Sequence, residues 1–270
     1  GTFMLSLDGY VSIVTGGASG IGRALTLKLA REGSNTVIAD LNPEALERTA
    51  HDARLEGTDV LAIETDVTRV EDVKDMVAAS LEHFGKIDVV VSNAGVAGAP
   101  GWHEIPHSRE DDWLATYEVN VKGVVNVTEA VEPVLKERRW GKIINIASVA
   151  GRSGRPSLPH YSASKAAVID YTYSSAMKLG RFNINVNAIC PGLLWTPMWE
   201  QVGARYAQND PNYRGLGARE VFDRMVEANM VMGREQTPDD VAELAAFLVS
   251  EEARNITGQA INVDGGFFFS

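Results

Sequence analysis

The chain is poor in what several function classes require. A single cysteine, Cys190, stands among 270 residues, which excludes an intrachain disulfide and a cysteine zinc cluster and fits a reducing compartment. Basic residues are the minority, 25 Lys and Arg against 36 Asp and Glu, so the formal charge is −11. Such a balance repels phosphate backbones and argues against a nucleic-acid partner. The apolar runs are far too short to span a bilayer, which argues against a membrane partner. The first ten residues carry neither the basic region nor the apolar core of a signal peptide, and Met4 behind Gly1-Thr2-Phe3 reads as a natural start after a cloning remnant. His103 and His107 have ligand-like spacing, but Pro106 lies between them and no carboxylate–cysteine set completes a cage, so no metal is expected. A soluble, cytoplasmic protein remains, and 45% hydrophobic residues are enough to bury a core.

Short β-branched runs alternate with longer helical patterns along the whole chain, which predicts βαβ units and a parallel sheet. The runs are 11–15, 35–40, 60–65, 87–92, 142–147, 183–189 and 260–263. They predict a Rossmann-type, doubly wound α/β fold with seven parallel strands and helices on both faces. Ile21, Leu25 and Leu29 recur at helical spacing in the first connection, and Val70, Val73, Val77 and Leu81 in the third. Gly33 and Gly85 stand where those helices should end in a left-handed residue. No linker or repeat divides the chain, so residues 1–270 are read as one domain. The least regular stretch, 191–233, mixes Pro, Gly, aromatics and charges; a substrate lid is placed within 193–233.

The first strand runs directly into Gly16-Gly17-Ala18-Ser19-Gly20-Ile21-Gly22 and then a helix. That context turns a weak glycine motif into a dinucleotide loop, whose backbone amides and helix N-terminus receive a pyrophosphate. Asp40 ends the second strand 18 residues beyond Gly22, with Leu41 beside it. An acid at this spacing bonds ribose hydroxyls and repels a 2′-phosphate, which favours NAD over NADP. Further on, Ser148 closes a strand, and Tyr161 and Lys165 lie four apart on a predicted helix and so share a face. With Asn120 they form the candidate catalytic set.

These motifs resemble those of the classical short-chain dehydrogenase/reductases. The likeness runs from about Gly9 to Gly266 and includes Thr15-Gly-Gly-Ala-Ser-Gly-Ile-Gly22, Asp66-Val67, Ser92-Asn93-Ala94-Gly95, Asn120, Ser148, Tyr161-x-x-x-Lys165, Pro191-Gly192 and Ile261-Asn-Val-Asp-Gly-Gly266. Ser92 departs from the more usual Asn. The resemblance implies that Tyr161 is the general acid/base, that Lys165 lowers its pKa and bonds the nicotinamide ribose, that Ser148 holds the substrate oxygen, and that Asn120 supports a water-linked relay to Lys165. It further implies that Asp66 and Val67 flank the adenine. Asn93, Ala94 and Gly95 would lie along the adenosine ribose, and Pro191, Gly192, Leu194 and Thr196 would meet the nicotinamide end.

The lid residues Trp195, Met198 and Trp199, with Tyr206, Glu200, Gln201 and Arg205 nearby, offer mixed aromatic and polar walls to a compact hydroxylated small molecule. The Thr-Pro-Met-Trp-Glu run is similar to lids of polyol, sugar and vicinal-diol dehydrogenases. Two alternatives stay open: a 3-oxoacyl thioester reductase, for which NADPH and a basic carrier-binding patch would be usual, and a noncatalytic dinucleotide sensor. His160 is expected to face either solvent or substrate. The apolar Phe267-Phe268-Phe269 tail is expected to bury itself on its own chain or on a neighbour. A homo-oligomer is expected, a tetramer before a dimer.

Overall fold

The computed structural model describes residues 5–269; Met4, read above as the natural start, lies outside them. Seven strands alternate with nine helices in the order β1 (Val11–Thr15), α1 (Gly20–Arg31), β2 (Asn35–Asp40), α2 (Pro43–Arg54), β3 (Val60–Glu64), α3 (Val70–Phe84), β4 (Val89–Ser92), α4 (Glu110–Thr116), α5 (Gly123–Arg138), β5 (Gly141–Ile146), α6 (Pro159–Leu179), β6 (Ile184–Pro191), α7 (Pro197–Asn209), α8 (Ala218–Asn229), α9 (Pro238–Val249) and β7 (Ala260–Val263). All seven strands lie in one sheet of order β3-β2-β1-β4-β5-β6-β7, and every pairing is parallel. The chain winds outward from β1 to β3, then returns to place β4 on the other side of β1. This reversal opens a crevice at the carboxyl ends of β1 and β4, where ligands bind in open parallel sheets.

Both faces of the sheet are covered, so its strands are apolar on both sides rather than alternating. Val11 and Ile13 of β1 pack with Val73, Met76 and Val131 on one face. Val14 packs with Leu25, Leu29, Val241 and Leu248 on the other. The expected strands recur with small shifts: the fourth begins at Val89 rather than 87, and the sixth extends to Pro191, whose partner is Val263. Proline is accommodated as the closing residue of the strand, and the next N–H, that of Gly192, donates to the Val263 carbonyl at 2.9 Å. Helix ends follow local chemistry. The Asn42 side chain accepts from Ala45 N–H ahead of Pro43, and α3 stops at Gly85, where φ is 74°.

The lid stretch is more regular than its composition suggests, because it holds α7 and α8 packed on each other. Thr196 starts α7 by accepting from Trp199 N–H at 3.3 Å. The apolar tail folds back on its own chain in part. Phe267 and Phe268 pack on the body, and Asp264 accepts from Phe268 N–H at 2.9 Å, whereas Phe269 is 77% exposed. Among the described residues no helix is long and apolar enough to cross a membrane.

Candidate active site

The loop after β1 is shaped by contacts that only glycine permits. A Cβ on Gly22 would lie 1.9 Å from the Gly16 carbonyl oxygen, and one on Gly16 would lie 2.8 Å from Ala94 Cα. The loop therefore folds tightly against the start of α1 and against the end of β4. Asn93 locks this arrangement, its side-chain amide donating to the carbonyls of Thr15 at 3.1 Å and Gly16 at 3.0 Å. Gly16, Ser19, Gly20 and Ile21 line the large cavity, while Gly22 sits behind it. Gly22, expected among the cofactor contacts, thus serves the loop's closure instead. The first turn of α1 contains no acid, and the Ser19 side chain makes no capping bond there. Its amides and the positive end of its dipole remain available to a pyrophosphate.

Asp40 stands at the carboxyl end of β2 on the same cavity, beside Leu41. Its two oxygens accept from Ala18 N–H and Asn42 N–H, each at 3.1 Å. The backbone thereby fixes the carboxylate between the glycine loop and the start of α2, with lone pairs to spare for hydroxyl donors. No Lys or Arg shares this end of the wall: Arg23, the nearest in sequence, pairs with Asp52 at 2.6 Å. Asp66 and Val67 also line the cavity, and one Asp66 oxygen accepts from the Thr68 N–H and hydroxyl. These features fit a nicotinamide dinucleotide: a glycine cradle for the phosphates and a fixed acid for the adenosine ribose.

The candidate catalytic residues converge from three elements. Ser148 follows β5 and is buried, its hydroxyl accepting from Ala150 N–H at 3.1 Å. The loop beyond it lies directly on α6, since a Cβ on Gly151 would come within 2.6 Å of the Lys165 backbone. That close approach brings Ser148 to the face of α6 that carries Tyr161 and Lys165. Burial pushes the Tyr161 phenol up to about 12, while the Ser148 hydroxyl pulls the other way. Burial pushes Lys165 down to about 8. Lys165 Nζ donates to the Ile146 carbonyl at 2.8 Å and stands 5.8 Å from the Tyr161 ring centre. The expected fall in the tyrosine pKa is therefore not produced by the lysine in the protein alone. Desolvation outweighs a charge at that separation.

Asn120 sits in a π-helical turn, residues 117–122, between α4 and α5, a local widening common at functional sites. Its side chain is fully engaged: Oδ1 accepts from Val96 N–H at 2.8 Å, and Nδ2 donates to the Val96 carbonyl and the Ser164 hydroxyl, each at 2.9 Å. Ser164 in turn donates to the Tyr161 carbonyl at 2.8 Å. Asn120 thus ties the loop after β4 to α6 without a hydrogen bond from its side chain to Lys165.

The remaining expected residues divide. Ala94, Gly95, Pro191, Gly192, Leu194, Thr196, Met198 and Trp199 all line the cavity, whose volume is about 910 Å³. Trp195 does not. Its ring packs at 5.4 Å on Phe222 of α8 under the Arg219 guanidinium, away from the cavity wall. Glu200 also lies off the wall, and Arg205 is buried, donating to the carbonyls of Trp102, Pro106 and Ser157. Gln201 does line the cavity and accepts from the Trp102 indole at 3.1 Å. His160 faces neither solvent nor substrate: it is buried, with Nδ1 bonded to Ser108 at 2.8 Å and Nε2 to the Ala97 carbonyl at 2.7 Å. Sequence reasoning passed over Trp102, Ser157 and Arg155, which also line the cavity. They lie in loops without periodicity, and only the fold brings them to this wall.

The comparisons agree with this geometry. A profile of the family described as "Enoyl-(Acyl carrier protein) reductase" matches residues 16–268. The sorbitol dehydrogenase of Cereibacter sphaeroides is 38% identical over 98% of this chain and 100% of its own. A 3-oxoacyl-[acyl-carrier-protein] reductase of Thermotoga maritima is 37% identical over 97% and 99%. Among solved structures, NAD+-bound xylitol dehydrogenase superposes with a TM-score of 0.89 at 33% identity, covering 96% of this chain and 99% of its own. An actinorhodin polyketide ketoreductase with NADPH superposes with a TM-score of 0.87 at 36% identity, covering 96% and 97%. With the glycine cradle, the Ser148–Tyr161–Lys165 cluster and this similarity over nearly its whole length, the chain belongs to the short-chain dehydrogenase/reductases, oxidoreductases that act on CH–OH groups with a nicotinamide dinucleotide.

Proposed function

We propose that the protein is an NAD-dependent dehydrogenase of polyhydroxylated secondary alcohols, namely polyols, sugars or vicinal diols. The observation that carries the NAD preference is Asp40, whose carboxylate is fixed by two backbone amides at the adenosine end of a cavity that has no cation there. A 2′-phosphate would meet an immobile negative charge, whereas ribose hydroxyls would meet two acceptors. The substrate reading is supported by a lid wall that mixes the apolar Met198 and Trp199 with the polar Gln201, Ser157 and Tyr206 and by the sorbitol and xylitol dehydrogenases among the similar proteins.

When bound, the dinucleotide supplies the hydride acceptor and a positive ring. The chain supplies position and proton transfer. Ser148 holds the substrate oxygen against the Tyr161 phenol. Tyr161 takes the hydroxyl proton in oxidation and returns it to the carbonyl oxygen in reduction. The protonated phenol of the protein alone is already set for the second direction. Oxidation requires more positive charge near the phenol than Lys165 supplies in the protein alone. Asn120, Ser164 and Val96 hold α6 and the loop after β4 together, and a water-linked path from Lys165 past Asn120 would carry the released proton outward. Asp66, Val67, Asn93, Ala94 and Gly95 are the wall for the adenosine half. Pro191, Gly192, Leu194 and Thr196 are the wall for the nicotinamide half. We place the enzyme in the cytoplasm, on its single buried cysteine, as a homo-oligomer, with a tetramer preferred.

The test is reduced-cofactor formation with NAD and with NADP across alditols, aldoses, vicinal diols and simple secondary alcohols. Turnover of a polyhydroxylated alcohol with NAD is expected, and Asp40→Ala should narrow the NAD/NADP ratio of kcat/KM by about 10-fold or more. An unchanged ratio would remove Asp40 from cofactor choice. The second reading, a 3-oxoacyl thioester reductase, is favoured by the Thermotoga maritima relative. It would be adopted if the alcohols gave no turnover and an oxoacyl thioester were reduced.

A further inference from the structure

The ionisable side chains that border the cavity are unevenly matched. Asp40 and Asp66 lie at the adenosine end, and Lys165 is held on the Ile146 carbonyl. Toward the lid stand His103, Arg155 and Asp210. His103 approaches Glu104 at 4.0 Å, and Asp210 caps the turn after α7 by accepting from Asn212 N–H. Arg155 has no such partner. Among the described residues no carboxylate oxygen lies within 4.0 Å of its guanidinium, and the guanidinium donates no hydrogen bond.

Its position is nevertheless well defined. Arg155 belongs to the loop between Ser148 and Tyr161, where its N–H donates to Ser162 Oγ at 3.2 Å and its carbonyl accepts from Leu158 N–H at 2.9 Å. The side chain is half-buried and forms the wall between the main cavity and a shallower hollow of about 470 Å³. The guanidinium carbon stands 4.5 Å from the centre of the Phe267 ring, itself part of the cavity wall. Contact with the ring face steadies the guanidinium while leaving its N–H fork free at the rim. Burial lowers its pKa, and the one opposing influence is the Tyr206 phenol. A half-withdrawn cation with no protein partner is costly to keep, and an anionic ligand would offset that cost.

We propose that Arg155 is a specificity-determining residue that binds a carboxylate at the end of the substrate away from the reacting carbon, so that the preferred alcohols are polyhydroxy acids rather than neutral polyols. This rests on the polyhydroxylated reading above and narrows it. The planar fork matches a carboxylate with two parallel hydrogen bonds, a geometry that a neutral terminal hydroxymethyl group cannot reproduce.

The experiment compares matched pairs with NAD, D-gluconate against D-glucitol and D-galactonate against galactitol, in the wild type, Arg155→Met and Arg155→Lys. Met keeps an apolar stem against Phe267 and removes the charge. The wild type is expected to favour the acid of at least one pair by 10-fold or more in kcat/KM. Arg155→Met should lower the acid-to-polyol ratio by about 10- to 100-fold, chiefly through KM, and Arg155→Lys should restore part of it. A wild type that prefers the neutral member of both pairs, or an Arg155→Met ratio within twofold of wild type, would overturn the proposal. Calorimetric titration of the two acids into the enzyme–NADH complex separates this from the wider reading. Binding weakened 10-fold or more by Arg155→Met supports the carboxylate site even if no alcohol is oxidised, and absence of binding in the wild type overturns it. Reduction of an oxoacyl thioester with no oxidation in either pair would reject the polyol reading on its own account.

Discussion

Tyr161 and Lys165 illustrate how a site can be chemically poised at a cost in stability. The phenol is driven up to about 12 and the ammonium down to about 8, both by burial. Below pH 8 the folded protein holds a buried charged lysine that the unfolded chain would leave in water. Between about 8 and 10.5 the unfolded state binds more protons at this residue, so stability rises with pH across that window. Lys165→Met should therefore be more stable than wild type at pH 7, by on the order of 1–3 kcal/mol, with the difference shrinking toward pH 10. Urea denaturation at the two pH values reads this directly, and turnover should be lost in the same variant. Tyr161→Phe behaves differently because the phenol is neutral in both states at pH 7. It should leave stability within about 1 kcal/mol of wild type and lower kcat by about 10³-fold or more, with NAD still raising the thermal midpoint. Retained turnover would exclude Tyr161 from proton transfer. The Tyr161-x-x-x-Lys165 spacing was legible in the chain, since helical periodicity alone places both on one face. The direction of the tyrosine shift was not legible, because it depends on how deeply other elements bury the phenol.

At the scale of elements, α7 is fastened through one buried side chain. Arg205 donates to three carbonyls from two loops, Trp102 and Pro106 in one and Ser157 in the other. Those loops and α7 supply part of the cavity wall. Arg205→Met should leave the three carbonyls without this donor, lower the thermal midpoint, and raise KM for the alcohol several-fold more than KM for the dinucleotide. Equal changes in both constants would detach α7 from substrate selection. Composition marked 193–233 as the lid, but neither the helices nor the division of its aromatics could be read there. Trp195 and Trp199 are four apart and look equivalent in sequence. Trp199 packs 5.1 Å from Phe222 and also lines the cavity, while Trp195 packs on the same Phe222 away from it. Which side of Phe222 faces the cavity is decided by how α8 docks on α7.

On the scale of the whole molecule, large apolar side chains remain at the surface of the described residues. Trp113 and Leu114 of α4, Tyr117 just after it, and Tyr173 and Met177 of α6 are between 38% and 86% exposed. Exposed apolar clusters of this kind mark association surfaces. Light scattering should accordingly give a mass that is a multiple of 29.2 kDa, four-fold before two-fold, and Met177→Glu with Leu114→Glu should shift the population to smaller species. A monomer at micromolar concentration would reject self-association.

The chain by itself determined the alternation of strands and helices, the glycine loop after β1, the acid that ends β2 and the spacing of the catalytic pair. All of these rest on short-range physics, where side-chain periodicity, cap chemistry and the steric freedom of glycine act over a few residues. Tertiary structure alone decided which polar residues remain unpartnered. His160 and Arg205 could each be read as site residues from type and position, yet each is consumed by groups distant in sequence. Arg155, inconspicuous in a loop, keeps its charge free beside Phe267, more than a hundred residues away. Whether a charge is satisfied within the protein depends on the long-range approach of other elements, and that approach follows from the order in which strands enter the sheet.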